Sequence, residues 1–303
     1  MSTVMTGTIA LSLKDTLETI VDDDTDGVKS KAMFTKWCDV RGMEDAYEDD
    51  LEMGGPGYAS EVDEGTTIPL GTIAEGVVTR YIPRKFGLRL IITEEAIEDG
   101  KYERALNAAG RLKRSLWKTA DLDATYMLIR AENSGYVYGD GQTLASSSHT
   151  LPQGSTFSNT MATPQSPSRA AVITATSAIK VLPGHDGTRE GYMPVAVVCP
   201  VEQWADWEVL NKSTNAPEAG QFNAVNVVKG LNLETYPLPL WSNTTTEYAF
   251  LTDADNGFNF RWRRKPRNRS WIDNDNQVMK YSIDGRWARG NSDPGRTVYY
   301  VSA

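Results

Sequence analysis

The longest regular pattern in the chain is a stripe of small and apolar side chains in its first half. These side chains recur every three or four residues, the spacing of one face of an α-helix. The members of the stripe are Tyr102, Ala105, Leu106, Ala109, Leu112, Leu116, Ala120, Ala124 and Met127. A helix over residues 101–131 would be roughly 45 Å long, longer than the helices typical of globular domains. The pattern therefore predicts a long supporting helix.

Two runs rich in β-branched and apolar residues, Thr72–Ile82 and Gly87–Ile92, precede the helical pattern. The four residues between them are Pro83, Arg84, Lys85 and Phe86. Such runs joined by a short turn predict an antiparallel hairpin, whose longer arm would project on the order of 35 Å. A hairpin of two strands is marginally stable alone, so it must lie on its own domain or on a neighbouring subunit. We expect the tip residues, together with Arg80, to contact a neighbouring chain.

The last third of the chain has a different pattern of predicted secondary structure from the first two thirds. A second helix is predicted to begin at Ser166 and Pro167, and an apolar strand follows at Val195–Cys199. Beyond Val225, short strand-like runs alternate with turn residues. Helices followed by a series of antiparallel strands indicate an α+β protein.

Charge is unevenly distributed along the sequence. The whole chain has 40 acidic and 31 basic side chains, a net charge of -9, which argues against a dedicated binder of duplex DNA. Between Asp22 and Glu64 there are 14 acidic and 4 basic residues. This segment is either a solvated arm or an arm that becomes ordered against a basic surface of a partner chain.

A basic ladder is predicted near the C-terminus, in the sequence RWRRKPRNRSW. An extended strand would place its alternate residues on one face, with Trp262 and Arg264 on the other. The ladder residues are Arg261, Arg263, Lys265, Arg267 and Arg269. We favour neutralisation of acid on an adjacent subunit, because the chain itself carries an acidic segment. Contact with DNA phosphates comes second, and an edge strand protected by its charges and by Pro266 comes third.

Signals of catalysis or cofactor binding are weak in this sequence. The patterns GxxxxGK[ST], GxGxxG, GxSxG and HExxH are absent, and the two cysteines, Cys38 and Cys199, are isolated. His149 follows three serines, which leaves a hydrolase as a minor hypothesis, although neighbours in a loop rarely have the required geometry. We expect no enzyme, with no catalytic, cofactor or metal site. No signal peptide or membrane span is predicted, so we expect a soluble protein of a reducing cytoplasm.

Two motifs resemble a known family. Residues 86–102, FGLRLIITEEAIEDGKY, and residues 139–149, GDGQTLASSSH, resemble in order and spacing the major capsid proteins of tailed bacteriophages, in particular the Mu-like major head subunit. The resemblance is best over 58–150 and implies the Hong Kong ninety-seven phage fold. That fold would comprise an N-terminal arm (1–53), an extended loop (54–92), a peripheral domain (93–164 and 251–303) with its spine helix at 101–131, and an axial domain (165–250).

The resemblance also implies a function. Members of this family assemble into hexamers and pentamers that form the icosahedral head shell around double-stranded phage DNA. Expected partners are further copies of the chain, portal, scaffold and decoration proteins, and packaged DNA bound without sequence specificity; no membrane is expected. The protein would be assembled in the host cytoplasm and located in the virion. The alternative is the shell of an encapsulin-type protein compartment with an enzyme cargo.

Overall fold

The computed structural model describes residues 32–93, 95, 102–215, 225–241, 247–255, 257–273, 275 and 278–301. Residues 1–31, the first part of the predicted arm, lie outside the described residues. The helices are α1 (Phe34–Trp37), α2 (Tyr102–Ile129), α3 (Arg169–Ile179), α4 (Trp204–Lys212) and α5 (Pro294–Thr297). The strands are β1 (Asp39–Gly42), β2 (Glu48–Met53), β3 (Glu75–Tyr81), β4 (Arg84–Thr93), β5 (His149–Thr150), β6 (Thr156–Phe157), β7 (Pro194–Pro200), β8 (Glu234–Leu238), β9 (Tyr248–Thr252), β10 (Phe258–Asp273), β11 (Val278–Asn291) and β12 (Val298–Val301).

The long helix α2 packs against a sheet of four strands in the order β1-β10-β11-β4. β10 and β11 form a long antiparallel hairpin, and β4 lies antiparallel on the other side of β11. Leu116, Ala120 and Ala124 of the helix are buried in the same core as Trp262 and Trp287 of the sheet. The predicted helix is therefore confirmed within two residues of its bounds, and its stripe residues from Leu112 to Met127 lie in the core.

A second sheet, in the order β12-β9-β7-β8, separates two hydrophobic cores. Along β7, Val198 belongs to the first core, whereas Val197 and Cys199 belong to the second. β12 alternates in the same way, because Tyr300 packs in the first core and Tyr299 in the second. A strand buried on both faces needs a continuous apolar run, which the sequence PVAVVCP provides. Together the helices and the sheets confirm the α+β class.

The C-terminal strands divide between the two sheets. β10 and β11 lie in the sheet that carries α2, while β12 pairs with β9 in the second sheet. The boundary predicted at 250 falls inside β9. Across the part of the chain that the structure describes, no helix is both long enough and apolar enough to cross a membrane.

The prediction of a hairpin between β3 and β4 is wrong. Both strands form, but β3 pairs with β2 and β4 pairs with β11. Only Ile82 and Pro83 separate the two strands, and a hairpin loop of two residues requires positive φ angles that a β-branched residue and a proline do not adopt. The chain therefore crosses from one sheet to another at this point.

The extended part of the molecule is instead the loop between β2 and β3. Its two strands pair antiparallel, from Glu48 opposite Tyr81 to Met53 opposite Glu75. Residues 54–74 form neither helix nor strand, and most of their side chains are exposed. We call β2, residues 54–74 and β3 together the extended loop.

Candidate assembly surfaces

The extended loop exposes large apolar side chains to solvent. Leu70 is 92% exposed, Ile68 79% and Tyr58 78%. Val78 and Ile82, on and just after β3, are also exposed. Clustered exposed apolar residues of this size mark surfaces that bind another molecule.

The loop is anchored through the acidic face of β2. Glu48, Asp50 and Glu52 occupy alternate positions and are half-buried, whereas the residues between them are exposed. Arg261 donates to Glu48 Oε2 at 2.8 Å and to Asp50 Oδ2 at 2.6 Å. Part of the acidic segment is thus neutralised by its own chain. The alternation of acidic residues in the sequence, E-x-D-x-E, is the pattern that could have predicted this strand.

Arg296 holds the third carboxylate of β2 in a buried ionic group. Its Nη1 lies 2.9 Å from Glu52 Oε1 and 2.8 Å from Asp293 Oδ1, and its Nε donates to the carbonyl of Pro183 at 2.9 Å. His185 completes the group, with Nδ1 2.9 Å from Glu52 Oε1 and Nε2 3.3 Å from Asp293 Oδ2. The group joins the extended loop, the segment that follows α3, and α5. We call these four side chains the Arg296 group.

Burial raises the pKa of both carboxylates of this group, but the net shifts of the two have opposite directions. It raises the pKa of Asp293 above its ordinary value, against the attraction of Arg296. Burial alone would also raise the pKa of Glu52, but hydrogen bonds from His185 and Arg296 outweigh it and leave that pKa below its usual range. Glu52 is therefore held as a carboxylate, as a counterion of Arg296 must be.

The residues of the predicted hairpin tip occupy different environments. Arg80 donates from Nε and Nη2 to both carboxylate oxygens of Asp49 at 2.7 Å, and these hydrogen bonds lower the pKa of Asp49. Pro83 is buried, and Phe86 stacks on Trp287 with ring centroids 4.2 Å apart. Arg84 and Lys85 are exposed at the start of β4. Their contact with a neighbouring chain stays a prediction.

The structure corrects the prediction that the five ladder residues share one face. Two irregularities in the pairing of β10 with β11, before and after Arg264, insert extra residues into β10. The second of them includes Pro266, which has no N–H for the ladder. As a result Arg264 and Arg267 both reach Asp284. Arg261 is buried, while Arg263 and Lys265 are exposed in the irregular stretch.

A basic surface nevertheless forms on the side of the first sheet opposite α2. On β11, Ile283 and Trp287 face the core, so Ser282, Asp284 and Arg286 face away from it. The register places cations of β4 and β10 beside them. We define the basic face as Lys85, Arg89, Arg264, Arg267, Arg269, Lys280 and Arg286.

The charges of the basic face are only partly compensated. Its carboxylates are Asp284, bound by Arg264 and Arg267, and Asp273, bound by Lys280. Gly87 lies opposite Asp284, and a Cβ there would come within 3.1 Å of the Asp284 Cβ, so glycine permits this close approach. Seven cations against two carboxylates leave a clear positive excess. Sequence reasoning missed Arg89, Lys280 and Arg286, and it placed Arg264 on the wrong side.

The Ser/His motif does not have the geometry of a serine hydrolase. The hydroxyls of Ser146 and Ser148 bind Gln142 Oε1 at 3.2 and 3.3 Å. His149 is buried, and its Nδ1 lies 2.6 Å from Asp140 Oδ2. Within the described ranges, His149 Nε2 has no hydrogen-bond partner, and no group of three or more His, Cys, Asp or Glu side chains could hold a metal ion.

Comparison with known proteins shows similarity at the level of structure. No family model and no curated protein matches the sequence. A solved structure from Mycobacterium phage Bobi has a TM-score of 0.58 and 12% identity over 89% of each chain. The capsid of an empty GTA particle, computed with C5 symmetry, has a TM-score of 0.52 and 13% identity over 89% of this chain and 88% of that chain.

A virus-like particle from Pyrococcus furiosus has a TM-score of 0.53 and 8% identity over 95% of this chain and 98% of that chain. Identities this low establish the fold alone. Each likeness nevertheless spans nearly the full length of both chains. The capsid fold that the sequence resemblance predicted is therefore confirmed, and this chain shares it with proteins of viral and virus-like shells.

Proposed function

We propose that this chain is a structural major capsid protein, which assembles into hexamers and pentamers and so forms an icosahedral shell around double-stranded phage DNA. The exposed extended loop carries the proposal. A segment such as 54–74 loses conformational entropy when it is ordered and buries little apolar surface within its own chain. A neighbouring copy would supply that missing burial. The GTA capsid, computed with C5 symmetry, supports closed rings of such subunits.

The basic face supplies a complementary surface for the loop. Glu61, Asp63 and Glu64 lie among the exposed residues of the loop, while the acidic residues of β2 are already bound within the chain. Loop and face are different surfaces of one subunit, so a contact between them is heterologous and repeats around a ring. Lys85 belongs to this face and Arg84 precedes it on β4, so both would take part. DNA phosphates are the second candidate for this surface.

The finer parts of the proposal depend on the sequence motifs. The segments FGLRLIITEEAIEDGKY and GDGQTLASSSH support the Mu-like branch and, with it, the division into arm, extended loop, peripheral and axial domains. Portal, scaffold and decoration proteins would be partners during assembly in the host cytoplasm. The finished protein would be a component of the virion.

Electron microscopy and sedimentation of the expressed protein test the proposal. We expect closed shells from the natural sequence, and soluble, folded subunits without shells when Ile68 and Leu70 are both changed to serine. The matched control changes Ile129 and Val181 to serine. These two residues are also exposed but lie outside the loop, so this variant should still form shells. Normal shells from the loop variant would contradict the proposed role of the loop. Particles from infected cells that contain protein cargo and no DNA would indicate an encapsulin-type compartment instead.

A further inference from the structure

A small polar cavity lies where the base of the extended loop meets α5 and the β5–β6 hairpin. Val77 and Thr79 of β3 line it on one side, and His149, Asp293 and Arg296 on the other. Its volume is about 20 Å³, which is room for one water molecule.

Three polar atoms of the cavity lining have no hydrogen-bond partner among the residues that the structure describes. They are His149 Nε2, Asp293 Oδ2 and Arg296 Nη2. The residues that carry them are 1%, 5% and 2% exposed, so bulk water does not satisfy these atoms. Buried polar groups without a partner are costly, and native structures satisfy nearly all of them.

The hydrogen-bonding character of the three atoms defines the ligand. Asp140 Oδ2 accepts a hydrogen bond from the Nδ1–H of His149, so Nε2 is an acceptor in the tautomer that carries its proton on Nδ1. Asp293 Oδ2 is also an acceptor, and it lies 3.3 Å from His185 Nε2 without forming a hydrogen bond. Arg296 Nη2 is a donor. The site thus presents two acceptors and one donor.

We propose that this cavity binds a single water molecule, which donates to His149 Nε2 and Asp293 Oδ2 and accepts from Arg296 Nη2. An anion would be repelled by the two acceptors, and a cation by the guanidinium. The water connects the Asp140–His149 pair to the Arg296 group. The base of the extended loop is then held by one continuous polar network.

Nuclear magnetic resonance of the ¹⁵N-histidine-labelled full-length protein tests the acceptor role of His149. The chain has two histidines, and a His185→Gln variant assigns their signals. We expect His149 to be neutral, protonated at Nδ1, with Nε2 shifted as an acceptor of a hydrogen bond. A ring protonated at Nε2, or a free Nε2, would overturn the proposal.

An experimental map at a resolution of about 2 Å or better tests occupancy. We expect one peak within about 2.6–3.2 Å of all three atoms. A cavity without such a peak would overturn the proposal. So would an anomalous signal in the cavity after exchange of chloride for bromide, because it would show an anion.

Discussion

Two buried arginines fix the base of the extended loop. Arg261 lies over the ring of Tyr81 at 4.6 Å and binds Glu48 and Asp50, while Arg296 binds Glu52. A guanidinium buried with its carboxylates contributes geometry more than net stability, since both partners lose their hydration. Removal of one partner alone therefore destabilises the fold by much more than the intact pair stabilises it.

Replacement of Arg296 by methionine should destabilise the fold strongly. The variant leaves Glu52 and Asp293 buried without their counterion, so we expect a loss of about 3–5 kcal/mol in the free energy of unfolding. Arg296→Lys keeps the charge but not the planar fork, and it should lose less. The measurement is urea denaturation followed by circular dichroism.

Arg263→Met is the matched control for this substitution, because Arg263 is exposed and should change the free energy of unfolding by no more than about 0.5 kcal/mol. Equal unfolding midpoints for Arg296→Met and Arg263→Met would show that the Arg296 group does not hold the loop.

Among the structural elements, the second sheet contains buried tyrosine and cysteine side chains with raised pKa values. Burial raises the pKa of Tyr248, Tyr299 and Tyr300 above the ordinary value of 10.0, and it raises the pKa of Cys199 to about 12. In the unfolded chain these groups release their protons at lower pH. Because the folded sheet keeps these protons, the free energy of unfolding depends on pH in the alkaline range.

Stability should fall as the pH rises above about 9. From there the unfolded chain loses protons that the folded sheet retains, so the unfolded state binds fewer protons and the free energy of unfolding decreases with pH. We expect urea midpoints to change little between pH 8 and pH 9 and to fall between pH 9 and pH 11. Tyr299→Phe should make this decrease shallower. Tyr58→Phe, at an exposed site, should leave it unchanged, and equal slopes for the two variants would contradict the argument.

Local patterns predicted the elements of this fold better than their pairing. The stripe from Tyr102 to Met127 predicted α2 almost completely, because helical periodicity is contained in one segment. β3 and β4 were also found, but their partners were not, since the irregular residues 54–74 separate β2 from β3, and β11 lies far from β4 in the sequence. The basic face combines three strands, and its composition depends on two irregularities, one on each side of Arg264, that alternation cannot reveal.

At the scale of the whole molecule, opposite charges are segregated on different surfaces. The chain has a net charge of -9, yet one side of its first sheet is basic and its extended loop exposes Glu61, Asp63 and Glu64. Segregation of this kind favours a directional contact between copies, because like surfaces repel each other.

Reversal of charge on the basic face should abolish shell formation. The variant Arg89→Glu/Arg269→Glu changes two side chains that lie on either side of Ser282 and are exposed, so the subunit should remain folded. We expect circular dichroism like that of the natural protein and a loss of shells in electron microscopy. High salt, about 1 M, should weaken assembly of the natural protein in the same direction, because exposed charges are screened.

Compensating charges on the loop distinguish a neighbouring copy from DNA as the partner of this face. When Glu61→Lys and Glu64→Lys are added to the double variant in the same chain, the two new lysines can pair with the two glutamates introduced at positions 89 and 269, and shells should reappear at least in part. The loop substitutions alone, on a natural face, should impair assembly and thus serve as the control. If DNA phosphates are the partner instead, the reversed face will assemble normally but retain less DNA, and the loop lysines will have no effect on either measurement.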